Sequence, residues 1–106
     1  MSIELRGRGY VRMHEDSWIA VRELGRNLGW VPEYVKVAAQ DTGLQDDVDD
    51  VPEHNARALA RALYRAIHMI ETDSLTESLV ELVRTAGVGS MRAVADLAAT
   101  DTFYVD

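Results

Sequence analysis

Apolar positions recur with helical spacing over most of the chain, and they alternate only near its two ends. Ile3 and Leu5, then Val11 and Met13, stand on alternate residues either side of Arg6-Gly7-Arg8-Gly9, which predicts a short hairpin with one buried face. Beyond it, Trp18, Val21, Leu24 and Leu28 repeat at three and four residues. A helix is expected over 17–28, capped by the Ser17 hydroxyl and closed by a left-handed Gly29. Between Trp30 and Val51 no period persists. Pro32 suits the first turn of a short helix through Tyr34, Val35 and Ala38, and Gly43 with the aspartates after it reads as an acidic loop.

The longest stripe begins at Pro52. Ala56, Leu59, Ala60, Leu63, Ile67 and Ile70 fall on one side of a helix over 53–71, and Glu53 complements its positive end. Ser74 and Glu77 have capping-box spacing ahead of Leu75, Leu79, Leu82, Val83 and Ala86, so a helix over 74–86 should stop at Gly87. Ser90 is placed to open a last short helix carrying Met91, Val94, Leu97 and Ala98. The closing Thr102-Phe103-Tyr104-Val105 has strand chemistry and would pair most economically with the hairpin at the other end. The expected fold is therefore mainly α. It is one domain over 1–106, in which the helices at 17–28, 53–71 and 74–86 pack together beside a small β element formed by the N- and C-terminal segments.

Composition narrows the class. At 106 residues and 47% hydrophobic content the chain is long enough for one packed core. Having no cysteine, it has no disulfide, thiolate metal site or cysteine nucleophile, which suits a reducing cytoplasm. No apolar run approaches the roughly 20 residues of a membrane span, and Met1 to Met13 lacks the order of a secretory signal. Eleven basic and 18 acidic residues leave a net charge of -7, which opposes non-specific contact with phosphate backbones. That acidity begins in mid-chain: residues 1–34 balance five against five, and the excess of carboxylates lies after them.

Candidate chemistry is sparse. Asp46, Asp47, Asp49, Asp50, Glu53 and His54 gather hard oxygen ligands, yet the run lacks the alternating donors, central glycine and distal glutamate of a calcium loop, so it reads as a solvated acidic surface. His14, His54 and His68 stand apart in sequence, and no nucleophile elbow or phosphate-cradling glycine run accompanies them. No catalytic residue, metal or cofactor is assigned. Trp30, Tyr34 and Tyr64 are candidate recognition aromatics, although core anchoring is the commoner use of such residues. Arg6-Gly7-Arg8-Gly9 looks like a fragment of an arginine-glycine RNA-binding tract and reads better as a turn.

Ala86-Gly87-Val88-Gly89-Ser90-Met91-Arg92-Ala93 resembles the helix-hairpin-helix motif, which implies backbone amides near Gly87 and Gly89, with Arg92, facing a DNA phosphate. Thr85 and Asp96 depart from the motif where hydrophobic residues are usual. The same stretch resembles a helix-turn-helix turn, with Val94 and Leu97 one position late. Across the chain, Trp18 and Leu24, Gly29-Trp30-Val31-Pro32, Val51, Asn55 to Leu63, Val94, Phe103 and Val105 together resemble small uncharacterised bacterial proteins of this size. That resemblance implies a helical domain with a small sheet and no assigned activity. The functional expectation is a non-catalytic protein of bacterial or phage origin that binds another protein, as an inhibitor, antitoxin-like or immunity-like partner, through Asp46, Asp47, Asp49, Asp50, Trp30 and Tyr34. The alternative is DNA binding through Gly87, Gly89 and Arg92, and a homodimer sharing the long helix fits the pattern as well.

Overall fold

A computed structural model describes residues 1–37 and 48–106. Its backbone makes the fold α+β, which corrects the mainly α expectation. Five antiparallel strands form one sheet in the order β2-β1-β5-β4-β3, where β1 is Ser2–Arg6, β2 Tyr10–His14, β3 Val35–Val37, β4 Val48–Val51 and β5 Phe103–Val105. The four described helices are α1 (Glu15–Asn27), α2 (Glu53–Glu71), α3 (Glu77–Ala86) and α4 (Val88–Thr100).

The N-terminal hairpin and the terminal strand form as expected. β5 pairs with β1, Leu5 opposite Val105, but it also pairs with β4, Val51 opposite Phe103. That second pairing extends the sheet by two strands. The helix expected from Pro32 is instead β3 at Val35–Val37, with Ala38 outside the described residues. Aspartate is a poor strand former, and Val48–Val51 contains two in a row. Its pairing is nonetheless fixed from both sides: Val51 is fully buried, and the Thr102 hydroxyl donates to Asp50 Oδ1 at 2.6 Å and also contacts the Val51 carbonyl. Tertiary packing has overridden local propensity.

Helix starts are also displaced. α1 begins two residues before Ser17, because the His14 ring accepts from the Asp16 amide through Nδ1 at 3.1 Å, and the Ser17 hydroxyl instead donates to the Thr85 carbonyl on α3. The Ser74–Glu77 capping box does not form: Ser74 Oγ turns back to the Met69 carbonyl, and α3 starts at Glu77. α4 starts at Val88, ahead of Ser90, directly after a single linking residue. That residue is Gly87, whose φ of 82° ends α3 and re-aims the chain in one step.

Strand alternation gives the sheet two unlike faces. Ile3, Leu5, Val11, Met13, Val51, Phe103 and Val105 point to the helices, where Trp18 of α1 meets the Phe103 ring edge-on with centroids 6.4 Å apart. Arg6, Tyr10, Arg12 and His14 on the opposite face are exposed. α2 packs against α1 and α4, and α3 rests mainly on α1. The α1–α2 contact is close at Gly25, where a Cβ would stand 2.8 Å from Leu59 Cδ1 and 2.9 Å from the Trp30 ring.

Candidate protein-binding surface

Two of the sequence candidates, Trp30 and Tyr34, come together with unlike environments. Trp30 is only 2% exposed, and its indole N–H donates to the side-chain oxygen of Asn55 at 3.1 Å and to the Asn55 carbonyl at 3.2 Å. Asn55 is itself buried and does more. Its Oδ1 accepts from the Glu33 amide at 3.1 Å, and its Nδ2 donates to the Val31 carbonyl at 2.7 Å. One side chain at the start of α2 thus satisfies three groups of the segment after α1, which turns Trp30 inward and holds the next four residues at the surface.

Those residues form a corner. Val31 is 73% exposed, an uncommon fraction for a β-branched apolar side chain held by an ordered backbone, and Tyr34 is 37% exposed. The Tyr34 ring sits edge-on to Trp30, centroids 6.5 Å apart, and borders a small cleft of about 120 Å³ with Pro32, Arg22 and Arg26. Glu33 Oε2 lies 2.5 Å from His54 Nε2, and Glu53 pairs with Arg57. Asp50, opposite Val35 in the β3–β4 register, is on the neighbouring strand. The corner therefore offers two apolar side chains in a setting of carboxylates partly matched by arginines.

Asp49 and Asp50 lie within β4 and not in the acidic loop expected there, and Asp46 and Asp47 fall outside the described residues. Among the described residues no group of three or more histidine or acidic side chains is placed to hold a metal ion, and no helix is long and apolar enough to cross a membrane.

The Gly87 turn joins α3 to α4 with one residue between them. Gly89 is exposed in the first turn of α4, and the Arg92 guanidinium points to Glu71 at 3.9 Å. Asp96, one of the departures from the helix-hairpin-helix pattern, faces solvent and accepts from the Tyr64 hydroxyl at 2.5 Å. No family model, curated protein or solved structure matches the chain.

Sequence reasoning missed Val31 and Asn55. Val31 carries no signal beyond its place in Gly29-Trp30-Val31-Pro32. The only hint for Asn55 was a polar side chain one position ahead of the α2 stripe, and its partners lie more than 20 residues away in sequence.

Proposed function

We propose that this is a non-catalytic protein whose work is to bind another protein, as an inhibitor, antitoxin-like or immunity-like partner of bacterial or phage origin, with the Val31–Tyr34 corner as its contact point and its acidic exterior directed to a basic protein face. The observation that supports this reading most is Val31, an exposed apolar side chain held out by the Asn55 hydrogen bonds behind it. Interfaces concentrate their energy in a few anchors, tyrosine among the favoured ones, packed about by less critical contacts and ringed by polar groups, and Tyr34 stands beside Val31 here. The net charge of -7 adds long-range attraction for a cationic surface, which raises the association rate and makes it sensitive to salt.

The test is co-purification of a tagged chain, with mass spectrometry to name what is retained, repeated with Val31→Ser and Tyr34→Ala. Both side chains reach the surface, and neither belongs to the buried core. A partner whose capture weakens at high salt and falls about tenfold or more in each variant supports the reading. Capture indifferent to both changes overturns it, and so does a duplex-DNA mobility shift at low salt that is lost when Gly87 and Gly89 carry bulky side chains.

A further inference from the structure

Among the described residues no strand pairs with the outer side of β2, and its backbone is aimed outward. Gly7 N–H bonds the Gly9 carbonyl and Glu15 N–H bonds the Met1 carbonyl, so within the β1–β2 register the hydrogen-bonded pairs are Leu5 with Val11 and Ile3 with Met13. Tyr10 and Arg12 then turn both N–H and C=O away from β1, and His14 turns its N–H the same way. The β1–β5 bonds from Glu4 to Asp106, in both directions, confirm this phase.

Alongside that edge runs a groove of about 390 Å³ between β2 and α4, with Val11, Leu97 and Ala93 as its apolar lining and Arg8, Tyr10 and Asp96 at its margins. The edge is also cationic within an anionic protein: residues 1–14 hold Arg6, Arg8 and Arg12 against Glu4 alone. Arg6 is paired with Glu4 at 2.6 Å and Arg8 with Asp101 at 3.2 Å. Arg12 donates to the Ser2 hydroxyl at 3.5 Å and lies across the ladder from Glu4, whose charge it feels, but among the described residues no carboxylate is within ion-pair distance of it.

We propose that the β2 edge and its groove receive an extended peptide strand of a partner protein, carrying a carboxylate opposite Arg12 and apolar side chains on either side of it. Main-chain hydrogen bonds to Tyr10 and Arg12 continue the sheet, and alternation then decides the side chains. The residue opposite Arg12 faces the outer surface, where its carboxylate meets a guanidinium that Glu4, bonded to Tyr10 and Arg6, does not reach within ion-pair distance. Its neighbours turn inward over Val11, Leu97 and Ala93, a place closed to a second carboxylate by Asp96. The same charge rejects a second copy of this chain, since antiparallel pairing of two β2 strands about Arg12 would set two guanidiniums face to face. The site is separate from the Val31–Tyr34 corner and stands or falls without it.

The probe is a capped heptapeptide alternating valine with glutamate, titrated into the full chain and followed by amide NMR. The Tyr10, Arg12 and His14 amides should shift and exchange with solvent about tenfold more slowly, and Arg12→Glu should weaken binding about tenfold while improving binding of the matching valine–lysine peptide. Ala93→Glu should weaken binding of the valine–glutamate peptide, and Val31→Ser and Tyr34→Ala should leave it unchanged. Shifts that spare Tyr10 and Arg12 overturn the proposal, as does an Arg12→Glu protein that ranks the two peptides as the parent does, or a parent whose β2 amides are already protected by self-association before peptide is added. The amide measurement on the parent protein decides the matter even where a variant does not fold.

Discussion

Trp30 with Asn55, behind the surface corner, and Tyr10 with Glu4, on the open sheet face, are built from the same parts: an aromatic donor, a side-chain oxygen that accepts from it, and a second donor to the same group. In the first, Asn55 accepts from the indole and from the Glu33 amide. In the second, Glu4 accepts from the Tyr10 hydroxyl at 2.7 Å and from Arg6 at 2.6 Å, with Arg6 also 5.3 Å from the Tyr10 ring centroid. The hydrogen-bond lengths are as good in the exposed cluster. What differs is the alternative open to each group when its partner is removed. Water replaces a lost partner freely on the sheet face and only poorly at the buried and part-buried groups around Asn55, so the inner network carries more stability than the exposed one.

Asn55→Ala breaks the buried network at its centre and should have the largest effect. The indole keeps the Asn55 backbone carbonyl, but the Val31 carbonyl and the Glu33 amide lose their partners. Two part-buried unsatisfied groups cost about 3 kcal/mol, or about 12 °C or more in the midpoint of a thermal unfolding curve for a domain of this size. A fall no larger than that of an exposed substitution would erase the distinction between the two clusters. A second consequence sharpens it: the Val31–Tyr34 corner should lose its amide protection ahead of global unfolding, because its anchor is gone.

Gly25→Ala tests the packing side of the same region. A methyl there enters the space held by Leu59 and Trp30, both fixed in the core, and overpacking of this kind costs about 3 kcal/mol, offset by about 1 from the better helix propensity of alanine. A net loss of about 2 kcal/mol is expected from denaturant unfolding. Thr102→Val should follow at about 1 kcal/mol, because the part-buried Asp50 carboxylate loses one donor while the β4–β5 pairing remains.

These positions also mark what the amino-acid pattern made legible. The α2 stripe from Ala56 to Ile67 and the hairpin around Gly7 follow from spacing alone, because each is a local period matched by burial. The strand at Val48–Val51 does not. Its two aspartates argue for a loop, and pairing with β3 on one side and with Phe103–Val105, more than 50 residues on, on the other gives them and Val51 a place in a sheet. The candidate site divides in the same way. Tyr34 is at the surface, but Trp30 is turned inward by Asn55, and composition contains nothing about that partnership. The groove beside β2 was half visible, as a hairpin with an arginine-rich turn, and required α4 to arrive next to it before it became a groove.

The smallest effect is expected on the sheet face, where it should be visible in titration and not in stability. Accepting a hydrogen bond from Tyr10, and then one from Arg6, lowers the pKa of Glu4 from its usual value, and that same bond to Glu4 raises the pKa of the Tyr10 phenol above its usual 10. A lowered carboxyl contributes stability that is present above the unfolded pKa of about 4.5 and lost as pH falls through the folded one. A raised phenol contributes below pH 10 and loses its contribution as pH rises beyond it. Both groups are open to water, so neither arm should move the unfolding midpoint measurably between them. Glu4→Gln should nevertheless bring the Tyr10 ionisation, followed by its ultraviolet absorbance against a Tyr10→Phe control, back toward pH 10. An unfolding midpoint that dropped as far in Glu4→Gln as in Asn55→Ala would mean that the outer sheet face is covered in solution, and that water is as absent there as it is behind Trp30.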